Sequence, residues 1–272
     1  MSEIKVFSAG VALGLANQSA TIWNQAHPDS QVRLTGGGSV EGVRRHLQGD
    51  LFDLLILADE ANIATTLGPH LSSGYVVFAG NKMVIAATPG SEINSATWVD
   101  KLTDPGAVFA HFNPYVDPGG YRAVLAMLLA DRYQPGLSAK LLDHPGRLCL
   151  MDKPAPPKPG DKPPFHYMFA YYSMAKSRGL TFAELPEVMD LSSDSLAATY
   201  GEVEFKLNDD ETVQGSPIAH ALTVPLNALN PEGGRAFGRA FLENDFQAQN
   251  FLPKRKVVGT GLDPVAASVE LA

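Results

Sequence analysis

The stretch "NPYVDPGGYR", from Asn113 to Arg122, gathers the residue types best suited to chemistry at one point of the chain. It offers a single carboxylate, Asp117, then two glycines, a tyrosine and an arginine at the mouth of a helical pattern. An aspartate before Pro118 stands where an N-cap belongs, because its side chain accepts a first-turn amide and proline tolerates the first helical position. The same carboxylate, turned to a ligand, is a proton acceptor, or a donor once desolvation has raised its pKa. Both readings stand on the residues alone. Gly119 and Gly120 expose backbone amides at a helix N-terminus, which is a ready site for an anion. Tyr121 and Arg122 follow just inside that helix. The Arg122 guanidinium forks to a carboxylate, of a ligand or of a neighbouring acid.

A second place of the same kind is Gly36-Gly37-Gly38-Ser39, a glycine run with a hydroxyl ahead of another helical pattern. A tight strand-to-helix turn explains those glycines equally well. Ser8, followed by Ala9 in "FSAG", and Asp59, closing "FDLLILAD", end two further apolar runs. His166 is a lone histidine whose near-neutral pKa makes it a candidate proton carrier. No His/Cys cluster has metal spacing, and neither a nucleophile elbow nor a phosphate loop is present, so no metal and no cofactor is expected.

The elements that must hold these groups are legible around them. "IKVFSAG" is a strand, and a helical pattern follows to about Ala26. "QVRLTGGGSV" is a strand breaking into the glycine run, with a helix from about Val40 to Gln48. "FDLLILAD" is a continuous apolar strand of the kind buried on both faces. Strand, small-residue turn and helix thus alternate three times, the signature of an α/β fold with a parallel sheet. Ligands collect at the carboxyl ends of such strands, where Ser8, Ser39 and Asp59 stand. From about Gly90 a second α/β unit begins, with "AVFAHF" as strand and "YRAVLAMLLADRY" as helix. The segment "MDKPAPPKPGDKPPFHYMF" holds six prolines and reads as a surface loop or flap over 154–164. Strand and helix resume in "MFAYYSMAKSRG", "SPIAHALTVPL" is a further strand, and closing helices end the pattern.

The 272 residues suggest two domains, and a net charge of −8 gives no basic footprint for nucleic acid. The single cysteine, Cys149, allows no internal disulfide. No run reaches the ~20 apolar residues that span a bilayer. "MSEIKVFSAG" enters a strand at once, so the protein is expected to be periplasmic if a signal peptide has been removed and cytoplasmic if the sequence is native as written.

The segments "NPYVDPGGYRAVLAMLLADRY", "YMFAYYSMAKSRGLTFAELP" and "GSPIAHALTVP", with "FSAG", "GGGSVEGVRRHLQG" and "FDLLILAD" in order before them, resemble the molybdate/tungstate-binding proteins of ABC importers, most closely the tungstate subgroup. The resemblance implies the type II periplasmic-binding-protein fold: two α/β lobes joined by two crossing strands, with an anion in the cleft and hinge closure on binding. It implies a discontinuous first lobe, 1–82 plus 225–272, and a second lobe, 83–224. It also places Ala170, Tyr171 and Tyr172 in the lining. Two adjacent tyrosines on a strand face opposite ways, so one of them is expected to reach the ligand. Three positions depart from the family. Val11 and Leu57 stand where the family has hydroxyls, and Ala170 stands where the subgroup has a glutamate; Ser39 and Asp117 remain.

The expected function is therefore a solute-binding protein, and an expected monomer, for a small anion, with an ABC permease as partner if the protein is exported. The departures favour an organic carboxylate over molybdate or tungstate held in the family's usual way. The expected ligand contacts are Ser8, Ala9, Gly38, Ser39, Asp59, Asp117, Gly119, Gly120, Tyr121, Arg122, Ala170, Tyr171 and Tyr172. The alternative is an isomerase of an unsaturated polycarboxylic acid such as aconitate, with Asp117 or His166 moving the proton and the proline-rich loop excluding water.

Overall fold

The computed structural model describes residues 2–68, 70–150 and 163–259. The chain runs β1 (Ser2–Ala9), α1 (Leu13–Ala26), β2 (Ser30–Gly37), α2 (Ser39–Leu47), β3 (Leu54–Leu57), a π-helical turn (Asn62–Leu67) and β4 (Gly74–Gly80). It continues through β5 (Met83–Ala87), α3 (Trp98–Thr103), β6 (Phe109–Phe112), α4 (Pro118–Tyr133), α5 (Leu137–Leu142), β7 (Arg147–Leu150) and β8 (Tyr167–Tyr171). Then come α6 (Tyr172–Ser177), β9 (Phe182–Glu184), α7 (Glu187–Asp190), α8 (Ala197–Tyr200), β10 (Glu204–Lys206) and β11 (Thr212–Gln214). The last described elements are β12 (Ala219–Thr223), α9 (Pro231–Leu242) and β13 (Lys256–Gly259). The proline-rich segment expected as a flap lies, as far as residue 162, outside the described residues.

Contacts divide the chain into two units. The first comprises residues 2–80, 219–248 and 252–259, and the second comprises 81–218 with 249–251. The boundary differs from the sequence reading at one strand. Residues 219–223 were expected in the second lobe, but β12 pairs antiparallel with both β3 and β4 in the first unit's sheet.

The first unit is built on one six-stranded sheet, ordered β13-β4-β12-β3-β1-β2. Its β1, β2 and β3 are parallel, as the alternating pattern predicts. Beyond β3 the sheet is mixed: β12 runs antiparallel to β3 and β4, and β13 antiparallel to β4. All four residues of β3 are buried. Alternation sends Leu55 and Leu57 to one face, packed with Phe7, Val43, Ile63 and Val77 under α2 and the π-helical turn. Leu54 on the opposite face meets α9 at Gly238. The start of α9 is fixed chemically. Asn230 caps it by accepting from the Gly233 amide, Pro231 follows, and Asp53 Oδ1 accepts the Asn230 amide at 2.7 Å.

The second unit has a five-stranded sheet, ordered β7-β6-β8-β5-β9, and a separate β10–β11 hairpin. Here β6 is parallel to β7 and β8, while β5 is antiparallel to β8 and β9. Phe109 of β6 and Phe169 of β8 pack ring to ring at 6.1 Å. The residues of α4 from Pro118 to Met127 are all buried, Arg122 among them, so it is a core helix rather than a surface one. Of the closing helices expected near the C-terminus, α9 forms, and a turn over 246–250 follows it.

Candidate functional site

In the first unit, three strand ends bring the predicted groups together. The parallel register sets Ala9 opposite Gly37 and Ser8 opposite Ile56. Gly38 then takes an extended conformation (φ −79°, ψ 147°) and serves as N-cap, so that α2 starts at Ser39. The Ser39 hydroxyl accepts the Ala58 amide at 2.9 Å, which ties the first residue of α2 to the end of β3. Asp59 is buried and accepts the Ala61 amide at 2.9 Å, closing the turn after β3. The Ser8 hydroxyl, also buried, donates to the Ala9 carbonyl at 3.2 Å. Ser8, Ala9, Gly38, Ser39 and Asp59 therefore share one end of the sheet.

The helix N-terminus at that end is unusual. The first amides of any helix lack intrahelical acceptors. The Glu41 carboxylate reaches the Gly38 amide only at 3.4 Å. Ser39 and Val40 are both 0 % exposed. Among the described residues, their amides have no acceptor. Val40 was not among the sequence candidates. A ligand-facing amide belongs to the backbone, and no side-chain type announces it.

In the second unit the corresponding turn is arranged the other way. Asp117 is the N-cap of α4, accepting the Gly119 amide on Oδ1 at 2.8 Å, with Pro118 in the first helical position. Gly120 and Tyr121 donate their amides to the Asp117 carbonyl, at 2.9 and 3.4 Å. Asn113 organises the approach: its side chain accepts from Tyr115, and its carbonyl accepts from Val116 and Asp117. Proline has no amide, so the donors of this helix start are all engaged within the turn. The expectation that Gly119 and Gly120 hold an anion through bare amides is corrected here. The Asp117 carboxylate serves this turn as its cap.

Of the two tyrosines, Tyr171 is the one beside this turn. Its Cε2 lies 3.4 Å from where a methyl group on Gly119 would sit. Tyr172 starts α6 instead, with the Lys82 ammonium 5.1 Å from its ring centroid and its edge against Phe182. Ala170 faces the opposite side of β8 from Tyr171 and packs with Val84, Ala86, Ala175 and Leu180. Its place among the ligand contacts is corrected: it is a core residue. Leu57 is likewise a core residue of the first unit. Tyr121 and Arg122 are both buried on α4.

His166 stands elsewhere. Its Nδ1 accepts the Val108 amide at 3.1 Å, beside Tyr167 at the start of β8. Tyr171 ends the same strand four residues later, a rise of about 13 Å. The isomerase reading had Asp117 or His166 moving the proton, and the two candidates stand at opposite ends of β8. His166 instead borders a surface groove of about 460 Å³ with Glu92, Lys101, Asp104 and Tyr167. Burial, with the Asp104 charge adding to it, pushes the Tyr167 phenol up.

Residues 4–248 match the model of a family described as bacterial extracellular solute-binding protein. A solute-binding protein of Petrotoga mobilis, itself uncharacterized, is 32 % identical over 271 residues, covering 90 % of this chain and 83 % of its own. The molybdate/tungstate-binding protein WtpA of Pyrococcus abyssi is 28 % identical over 266 residues, covering 85 % of this chain and 77 % of its own. Among solved structures, the periplasmic molybdate-binding protein of Azotobacter vinelandii superposes with a TM-score of 0.66 at 15 % identity, over 92 % of this chain and 100 % of that one. At that identity the likeness is one of fold, and the fold is that of the type II periplasmic binding proteins.

Proposed function

This chain belongs to the bacterial extracellular solute-binding protein family, and we propose that it captures a small anion outside the cytoplasmic membrane for an ABC-type permease. It is related to the molybdate/tungstate-binding proteins of such importers. The observation that carries the anion reading is the pair of buried amides at Ser39 and Val40. Buried backbone N–H groups almost always have a partner, and an anion at the start of a helix is the partner that both the hydrogen bonds and the helix dipole favour. The proposed contacts in the first unit are Gly38, Ser39 and Val40, with Ser8, Ala9 and Asp59 shaping the turns around them.

An organic carboxylate suits these groups better than molybdate or tungstate in a paired-carboxylate coordination. The position that would supply the second carboxylate is Ala170, whose methyl group lies in a core. Isothermal titration with di- and tricarboxylates, molybdate and tungstate tests the ligand class; submicromolar tungstate binding would overturn the preference for a carboxylate. Two variants test the amides. Ser39→Ala removes the hydroxyl, while Ser39→Pro removes hydroxyl and amide together at the helical position proline tolerates best. Gly38 already has the extended conformation that a following proline requires. The expected result is that Ser39→Pro binds roughly 10- to 100-fold more weakly than Ser39→Ala, the worth of one hydrogen bond to a charged group. Equal affinities would remove the amide from the site.

A further inference from the structure

The geometry points to a second binding site, confined to the second unit: the groove bordered by Glu92, Lys101, Asp104, His166 and Tyr167 takes a small zwitterion, a molecule that carries both an ammonium and a carboxylate. Three segments form its walls, and hydrogen bonds fix them. The Thr88 amide and hydroxyl both donate to the His166 carbonyl, at 2.9 and 3.1 Å, which ties the turn after β5 that carries Glu92 to the start of β8. The turn after α3 is closed by Asp104, whose Oδ1 accepts the Gly106 amide at 2.7 Å and whose carbonyl accepts the Ala107 amide at 2.9 Å. The groove's volume of about 460 Å³ lies within the range of about 300–1,000 Å³ that holds small molecules.

The groups on these walls are unspent. Tyr167 is only 7 % exposed, yet its hydroxyl has no hydrogen-bond partner among the described residues. The neutral His166 ring accepts the Val108 amide on Nδ1, so its proton sits on Nε2 as a second donor. Among the described residues, no ion pair joins the Lys101 ammonium to Glu92 or to Asp104, although one groove holds all three. Opposite charges that share a groove without pairing complement a ligand that brings both. Its carboxylate meets Lys101 and the two donors, and its ammonium meets Glu92 and Asp104. A ligand with one charge satisfies only half of the groove and leaves the Tyr167 hydroxyl or the carboxylates without a partner.

Isothermal titration of the full chain at about pH 7.5 tests the site. Glycine, γ-aminobutyrate and ε-aminocaproate vary the separation of the two charges. Each is compared with the acid that lacks its ammonium and the amine that lacks its carboxylate. At least one zwitterion should bind with a Kd below about 1 mM, and roughly tenfold or more tighter than both of its singly charged analogues. Lys101→Met and Tyr167→Phe, each checked for folding by a thermal melt, should bind that zwitterion roughly tenfold or more weakly. Amide resonances of residues 90–92, 101–107 and 166–167 should shift on titration, while those of Ser39 and Val40 stay in place. Zwitterions that bind no tighter than their analogues, an affinity unchanged in either folded variant, or shifts that gather at Ser39 and Val40 instead overturn the site. The small-anion reading stands or falls separately, because its contacts belong to the first unit.

Discussion

Single residues fix the first unit in ways their types do not announce. Asp53 is buried, and its carboxylate accepts the Lys5 amide at 2.8 Å and the Asn230 amide at 2.7 Å. It thereby joins β1 to the start of α9, the second of these bonds spanning 177 residues of chain. Each amide orphaned by its removal costs about 1–3 kcal/mol, so Asp53→Ala should lower stability by roughly 2–6 kcal/mol. Urea unfolding should show a lower midpoint with an unchanged slope. In the sequence Asp53 is one acid ahead of an apolar run, with nothing to separate it from a solvated charge. Ser39 and Asp117 were legible because glycine and proline beside a helical pattern restrict where the chain can go. Ala170 was not. Its identity suggested a lost ligand, and only the packing around it showed a core position.

Elements are positioned by close approaches that leave little choice of residue. α4 crosses the start of its own turn at Gly120, where a methyl group would lie 2.6 Å from the Asn113 carbonyl carbon and the Phe112 oxygen. Both are backbone atoms and cannot swing aside. Gly120→Ala should therefore displace α4 and the Asp117 turn together, costing about 1–3 kcal/mol as overpacking does. At Gly119 the nearest neighbours of such a methyl group are the Asp117 side chain at 3.2 Å and the Tyr171 ring at 3.4 Å, so Gly119→Ala should be the milder change. Melting temperatures of both variants check the order. The helical patterns of α1, α2 and α4 and the strands β1, β2, β3 and β6 were readable from periodicity and punctuation. Strand direction was not. β12 returns to the first sheet from more than 130 residues away, pairing Leu222 with Ile56, and no local pattern says whether such a return is parallel or antiparallel.

On the scale of the whole molecule, each unit carries a buried neutral histidine, and the two make stability depend on pH in the same direction. His46 accepts the Phe52 amide on Nδ1, so its proton sits on Nε2, facing Asn227 Oδ1 at 2.7 Å. His111 donates from Nδ1 to the Phe112 carbonyl and accepts from Arg147 on Nε2. Burial is the largest cause lowering both pKa values below 6.5; the Asn227 bond opposes it at His46, and at His111 the Phe112 bond opposes it while the Arg147 charge adds to it. Above about pH 6.5 the folded and unfolded chains carry the same protons on these rings. As pH falls from there through the folded values, the unfolded chain binds protons that the folded one resists, and stability is lost. Denaturant midpoints should hold between pH 7 and 8 and drop below about pH 6.5, with a smaller drop in His46→Gln. The amino-acid sequence by itself determined the α/β class, the two glycine-bearing turns and the family. Those follow from local rules of periodicity, helix capping and backbone freedom, which act within a few residues. Tertiary structure alone decided that β12 belongs to the first sheet, that Ala170 and Leu57 are core residues and that His166 stands a strand's length from Asp117. It also decided that one helix start keeps its amides while the other spends them on its own cap. Those outcomes depend on which distant segment supplies a neighbour or a hydrogen-bond partner, and that is settled only when the chain has closed on itself.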